Sequence, residues 1–521
     1  MFLKKVNYFI TNDKFLSIFL FILALLINQH YASRGIFPMD GFAHFDPGYR
    51  ILNGEYPLRD YWVVHGVFID YLQALFFFLF GVSWKSYVLH ASLLNGLLTV
   101  ATYFIFRNFN LNKSYSLIYS FFFSVLAYTS SGTPFLDHHS AFFSLFGIYC
   151  LILGIDKEKK LYWILLPIFF GFAFLSKQVP SAYVILSTCL VLFIYTVIKK
   201  RFDCLKYILI SSVIFIIIIF IIGKIQGVSL DLFLIQYILF PPSIGLDRFA
   251  DYKLTFNGII GHYKFIYLAI LPIFYLNIKK IINNYSYINQ KDFYFFLTLT
   301  TLTLSLIFNQ LFTKNQIYIF FLIPILAGFS QIYLKKINLK HEGKIFVAIA
   351  LICFISTIKY HVRFNENRKF HELNYVDFSS SIDASIIDKK LSGLNWISPF
   401  NKNPNEEINL AKLTKKILKK DKRNKMVITD YQFFSAILNE KLNSPSRSYD
   451  TISYPGKKNK YFKKYKTFLL DNIKRKNIKV IYMVNFDNAD ENLILYDFID
   501  RDCLEREIVS KELKKFELKK C

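Results

Sequence analysis

Apolar residues fill the first 360 positions in blocks longer than any soluble core requires. The stretches "FLSIFLFILALLI" (residues 15–27) and "YILISSVIFIIIIFIIG" (residues 207–223) carry no charge. A hydrocarbon core of about 30 Å is crossed by roughly 20 apolar residues in a helix, so such blocks predict membrane spans. Twelve blocks qualify, at about residues 15–29, 67–82, 87–106, 115–131, 139–155, 161–175, 181–198, 207–223, 258–278, 293–312, 317–334 and 345–360. No small-x-small cleavage site follows the first block, which therefore reads as a retained anchor.

Loop charge tests this count. With the N-terminus inside, twelve spans leave several basic loops outside, against the positive-inside bias. The conflict disappears if residues 67–82 lie in the outer interface. That block, "VFIDYLQALFFFLFGV", contains Asp70 and Gln73 and suits a half-immersed amphipathic helix. Eleven spans remain, with the C-terminus outside. The basic loops 107–113, 156–160, 199–203, 279–291 and 335–344 then fall inside. The outer face collects the chemically varied loops: residues 30–66, 130–140, 176–180, 224–257 and 313–316.

After residue 360 the pattern changes. "MVITD" (residues 426–430) and "VIYMVN" (residues 480–485) read as short buried strands, and residues 408–420 as an amphipathic helix. The expected fold is a mainly α polytopic bundle, residues 1–360, with a small C-terminal α/β domain, residues 361–521. A parallel sheet is the favoured arrangement in that domain.

The net charge of +26 does not demand nucleic acid. Short inside loops and a Lys-rich tail near lipid head groups account for it. The six cysteines form no CxxC, so neither a zinc site nor a redox motif is signalled. A Cys503–Cys521 bridge would require an oxidising compartment.

Three groups in the outer loops carry candidate chemistry. Asp40, a dozen residues beyond the first span, suits a general base acting on an acceptor hydroxyl; the plainer alternative is a solvated loop acid. Asp46, Glu55 and Asp60 are further loop acids. Asp137 in "TPFLDHHSAFF" enters a span beside His138 and His139. An acid and an imidazole can bind a divalent metal, Asp137 with His138 for example, or serve as an N-cap with an interfacial histidine. Lys177 in "FLSKQVP" interrupts two apolar segments and suits a phosphate. Arg59, Arg248 and Lys314 can do the same or can snorkel to head groups. Carboxylates, cations and aromatic walls at an outer membrane face suit a site that takes a lipid-phosphate donor.

The segment "MDGFAHFDPGYRILNGEYPLRDYWVVHG…LQALFFFLFG" resembles the first outer loop of the GT-C membrane glycosyltransferases, such as the protein O-mannosyltransferases and the aminoarabinose transferases of lipid A. "TPFLDHHSAFF", "GFAFLSKQVP" and "YIFFLIPILAG" resemble later segments of that family, in order over roughly residues 10–335. The resemblance implies a polyprenyl-phosphate-sugar donor and an extracytoplasmic glycan, lipid or protein acceptor. The enzyme would sit in a bacterial cytoplasmic membrane with its C-terminal domain outside. Asp40 becomes the catalytic carboxylate, Asp137 a second acid that binds metal or positions the acceptor, and Lys177 the carrier-phosphate ligand, with Arg59 and Lys314 as further cations. No organic cofactor is implied. Many members carry an Asp-Glu pair where this chain has Asp40-Gly41, which opens a helper role for Asp46. A transporter or flippase, or an O-antigen-type polymerase, is the competing expectation. Inverted repeats and mid-span charges, which a transporter favours, are not evident.

Overall fold

The computed structural model describes residues 12–127, 132–249, 255–313, 319–336, 342–400, 403–449, 453–484 and 491–519. The first helix, α1 (Asp13–Ala32), shows how the apolar blocks fold. Its buried positions Leu16, Leu20, Ala24, Asn28 and Ala32 recur every four residues, while Phe15, Ile18, Phe19, Ile22 and Leu26 face outward. That stripe packs on α5 (Trp84–Asn108). Gly96 makes the approach possible, since a Cβ there would lie 2.8 Å from the Phe21 ring.

Between these two helices lie α2 (Pro38–Gly41), α3 (Phe45–Leu52) and α4 (Val67–Phe80). The bundle continues with α6 (Lys113–Leu126), α7 (Leu136–Lys157), α8 (Lys160–Ser176), α9 (Gln178–Lys199) and α10 (Asp203–Ile225). Short helical turns lead to α11 (Lys264–Asn283), α12 (Lys291–Thr313), α13 (Leu322–Lys335) and α14 (Glu342–His361). Helix α7 is the centre, with 89% of its most apolar window buried, whereas α10 has 6%. Helix α10 presents Ile and Phe outward, as a helix in contact with lipid does. Gly147 and Gly154 of α7 face Phe170 and Trp163 of α8, letting the two helices close on each other.

Among the described residues, eight helices are long and apolar enough to cross a membrane. The expected count of eleven exceeds this. The blocks at 115–131, 161–175 and 317–334 form helices of 14, 17 and 14 residues. The first and last of them abut residues outside the described set. Helix α4, also 14 residues, spans about 21 Å at 1.5 Å per residue, too short to cross. Its Asp70 and Gln73 are buried against the protein while Leu75, Phe78, Leu79 and Phe80 are exposed. This matches the amphipathic character read from its sequence.

The tail folds as α15 (Pro404–Lys420), α16 (Phe434–Leu438) and α17 (Phe462–Arg475) around a four-stranded sheet. Its strands are β3 (Lys425–Ile428), β4 (Val480–Val484), β5 (Leu504–Ile508) and β6 (Leu513–Leu518), in the order β3-β4-β6-β5. A separate two-residue ladder joins β1 (Ile382–Asp383) to β2 (Asn395–Trp396). The expected parallel sheet is mixed instead. Only β3 and β4, linked through α17, pair in parallel; β6 pairs antiparallel with β4 and β5. Strand β5 is exposed at every position but Leu504, so it lacks the apolar run that revealed β3 and β4.

The tail is not a detached module. One continuous core holds Phe42, Phe45 and Trp84 of the membrane part with Trp396, Phe433 and Phe434 of the tail. Another packs Trp62 on Tyr465 and Phe468. Cys503 is disulfide-bonded, with its counterpart outside the described residues, while Cys150, Cys189, Cys204 and Cys353 are free.

Candidate active site

The loop between α1 and α4 is fixed at both ends by backbone pairing to the tail. Gly35 N donates to Asn395 O at 3.0 Å, Ile36 N to Ile397 O at 2.9 Å, and Trp62 N to Pro445 O at 2.8 Å. Pro38 opens α2, where a missing N–H costs nothing, and this turn carries Asp40, which is half-buried. Gly41 is buried with Ile36 against it, and a Cβ there would lie 2.1 Å from Ile36 Cδ1. The space for the second acid of an Asp-Glu pair is filled by that isoleucine.

Asp137 and Lys177 form the second element. Lys177 Nζ donates to both carboxylate oxygens of Asp137, at 2.7 and 2.8 Å. Their side chains are 18% and 3% exposed, so the pair is shielded from solvent screening yet reachable from one side. Lys177 sits in extended backbone between α8 and α9. Its carbonyl accepts from Ser140 Oγ at 3.0 Å and Ser181 Oγ at 2.7 Å. The cation is therefore held at the junction of three helices. His138, next to Asp137, is buried edge-on against Phe135 and Phe142. The pair read as a metal site is thus divided between an ammonium and an aromatic pocket. Among the described residues no three His, Cys, Asp or Glu side chains converge as metal ligands.

Asp46 lies elsewhere in function. Its carboxylate accepts the backbone N–H groups of Ser435 at 3.0 Å and Ala436 at 2.9 Å, at the start of α16. Its own N–H donates to Gln432 O at 2.9 Å. It caps a helix of the tail from across the interface. Burial pushes its carboxyl up to about 6, against the pull of the two amides and Arg50. The native state therefore binds this proton more tightly than the unfolded chain, whose value is near 3.8. The resulting stability is full below about pH 4 and is lost as pH rises through about 6. Relative to Asp46→Asn, the wild type is expected to gain up to about 3 kcal/mol on acidification from pH 7 to pH 4. Thermal melts of both proteins across that range check this, and parallel curves would refute it.

Arg59 braces the loop. It donates to Asp60 at 2.6 Å, to Gln226 O at 2.7 Å and to Gly54 O at 2.8 Å, and its guanidinium lies over Tyr56. Asp60 is held down at about 2: burial would raise it, but Lys476, the Tyr56 amide, Arg59 and Arg475 outweigh burial. Glu55 is likewise below its usual range because Arg50 and Lys476 outweigh its burial. Arg59 is thus committed to the loop and is not placed with Lys177. Lys314 lies outside the described residues, and no side-chain placement is described for Arg248.

The structure adds residues that the sequence reading did not select. Asp70 of α4, fully buried, accepts from His44 Nδ1 at 2.6 Å, Tyr61 Oη at 3.1 Å and Arg447 Nη1 at 3.2 Å. Arg447 comes from the tail and also donates to the His65 carbonyl. His65 feels the charges of both Arg447 and Lys177, and Tyr87 Oη those of Asp70, Arg447 and Asp40. Gln178, next to Lys177, donates to the Val64 carbonyl at 2.8 Å, and Leu136, next to Asp137, lies with Arg447 against Gly66, so the Lys177–Asp137 pair and the Asp70 cluster meet at the end of the Asp40 loop. Nearby, His90 and His139 meet through their Nε2 atoms at 2.9 Å, with Gln73 Oε1 on His90 Nδ1. The His-Phe spacing of this region gave no signal for that contact, because its partners lie on three different helices.

A half-buried carboxylate can take a proton, and a shielded, fixed ammonium can hold an anion. Residues 64–222 match the model of the family described as dolichyl-phosphate-mannose-protein mannosyltransferase. No curated protein sequence matches the chain significantly. Among solved structures, that of ArnT from Cupriavidus metallidurans bound to undecaprenyl phosphate superposes with a TM-score of 0.52 at 10% identity, covering 96% of this chain and 97% of that one. The GT-C resemblance read from the sequence is thus met twice, by a mannosyltransferase family match over residues 64–222, which begins after Asp40 at the end of its loop, and by a fold shared with ArnT along nearly the whole chain.

Proposed function

We propose that this protein transfers a sugar from a polyprenyl-phosphate donor to a glycan, lipid or protein acceptor at the outer face of a bacterial cytoplasmic membrane. The observation that carries the reading is the shielded Lys177–Asp137 pair at the end of the Asp40 loop. The fold shared with ArnT, seen there with undecaprenyl phosphate, supports a lipid-phosphate donor. A disulfide at Cys503 supports an oxidising, extracytoplasmic tail.

In this reading Asp40 accepts the proton of the acceptor hydroxyl as its oxygen attacks the sugar C1. The C1–O bond to the carrier phosphate breaks, and polyprenyl phosphate leaves with the bonding electrons. Lys177 turns part of its charge from Asp137 to the departing phosphate. Asp137 holds the ammonium in place before and after transfer. Asp46 and Arg59 fix the loop that presents Asp40. The test is incubation of the purified protein with labelled polyprenyl-phosphate hexoses and pentoses and candidate acceptors. Label is expected to appear in an acceptor with release of polyprenyl phosphate. No transfer from any donor, with a folded protein that binds polyprenyl phosphate, would favour a carrier over an enzyme.

A further inference from the structure

Arg447 reaches from the tail into the membrane part. Its side chain is 8% exposed, and Asp70, which it meets, is fully buried. One face of the guanidinium binds the Asp70 carboxylate at 3.2 and 3.4 Å, and the other binds the His65 carbonyl. It thereby ties α4 to the end of the Asp40 loop. The loop leaves no slack: Gly66, at φ +80°, is so enclosed that a Cβ would lie 2.4 Å from Leu136 and 2.8 Å from Arg447 Nη1. Asp70 also orients His44. With Nδ1–H donated to Asp70, the Nε2 of His44 is left as an acceptor, and it has no partner in its buried position. His44 opens α3 four residues after Asp40, where a positive charge opposes the helix dipole.

We propose that Arg447 is a positioning residue for the reaction: by clamping Asp70 and the His65 carbonyl together, it holds the Asp40 loop in its working form, and its charge acts on His44 and His65, whose Nδ1 atoms lie 3.2 and 3.4 Å from its Nη1 and Nη2. The proposal rests on the transferase reading for its catalytic consequence, but its electrostatic part stands on the fold alone. Burial drives both imidazoles below their usual range; Asp70 opposes this at His44, and Arg447 reinforces it at both. Around His44 the other ionisable groups are Asp70, Arg447, Tyr61, Tyr87, His65, His90 and His139; around His65 they are Arg447, Lys177 and His44. Without the guanidinium, Asp70 faces His44 uncompensated, and His44 takes a proton more readily. That charge arises at the start of α3, four residues after Asp40 in the loop that presents it.

The test compares full-length wild type, Arg447→Gln and Arg447→Lys, with Arg506→Gln, an exposed arginine of the same domain, as control. A buried imidazole held neutral makes stability fall as pH drops below about 6.5, since only the unfolded chain then binds the proton. Thermal melts from pH 7.5 to pH 5 should therefore fall steeply for wild type, Arg447→Lys and the control, and more shallowly for Arg447→Gln. Parallel slopes would overturn the electrostatic part whether or not the protein transfers sugar. In the transfer assay, Arg447→Gln is expected to lower kcat by about 10- to 100-fold. The donor KM should stay within about twofold, and the acidic limb of the pH–rate profile should move up by about one unit. Arg447→Lys should restore part of kcat. Wild-type kcat in Arg447→Gln, or a loss with an unmoved limb, would reduce Arg447 to a structural brace. If wild type itself transfers nothing, the transferase reading falls, while the melting slopes still decide whether Arg447 holds the histidines neutral.

Discussion

Asp40→Asn is expected to lower kcat by about a thousandfold while leaving expression, thermal stability and donor binding close to wild type. General-base assistance is worth about 10² to 10⁴ in rate, and the amide removes it without changing the size of the side chain. Asp40 is only half-buried on a one-turn helix, so its loss leaves no deep cavity. Donor binding rests on Lys177 and the lipid chain, which the substitution does not touch. Single-turnover transfer from a labelled donor separates the chemical step from binding. Near-normal single-turnover rates in Asp40→Asn would move the base elsewhere in the loop, with Asp46 excluded if its own asparagine variant changes only the pH dependence of folding.

Lys177→Met should show a different signature. The leaving phosphate loses its counter-charge, a change expected to cost about 10² to 10³ in kcat/KM. In addition, Asp137 is left buried without a cation, which destabilises by up to about 3 kcal/mol given the partial exposure of the pair. Asp137→Asn alone should reduce activity less, because the ammonium remains available. The double variant Lys177→Met, Asp137→Asn is expected to regain stability over Lys177→Met without regaining activity. Melting temperature and kcat/KM across the four proteins form a double-mutant cycle. Recovery of activity in the double variant would show that Lys177 serves only to neutralise Asp137.

Much of this architecture is legible in the chain. The apolar blocks give the long helices, and Asp70 and Gln73 mark α4 as amphipathic. Asp137 and Lys177 stand out because each interrupts an apolar stretch, and the structure brings them to 2.7 Å. Asp46 was harder to place, because a loop acid before proline says nothing of two amide groups some 390 positions away. Arg447 carries no local signal at all; its neighbours Ser446 and Ser448 suggest a polar turn, and only docking buries it. Strand β5 escaped for the converse reason, having one buried residue and four exposed ones. Periodicity reports what a segment buries against its own surroundings. It is silent about a polar group whose partner arrives from the far end of the chain.

That separation in sequence sets an order of events during synthesis. The loop that presents Asp40 is made early, yet its partners Asn395, Ser435, Ala436 and Arg447 emerge hundreds of residues later. At about 5 to 20 residues per second, some 400 residues take on the order of 20 to 80 seconds. During that interval the aromatic face of Phe42 and Phe45 has no tail to pack against, so a nascent chain that stops before the tail holds the Asp40 loop without the partners that fix it. Synthesis of the tail is thus the step that completes the fold of the Asp40 loop.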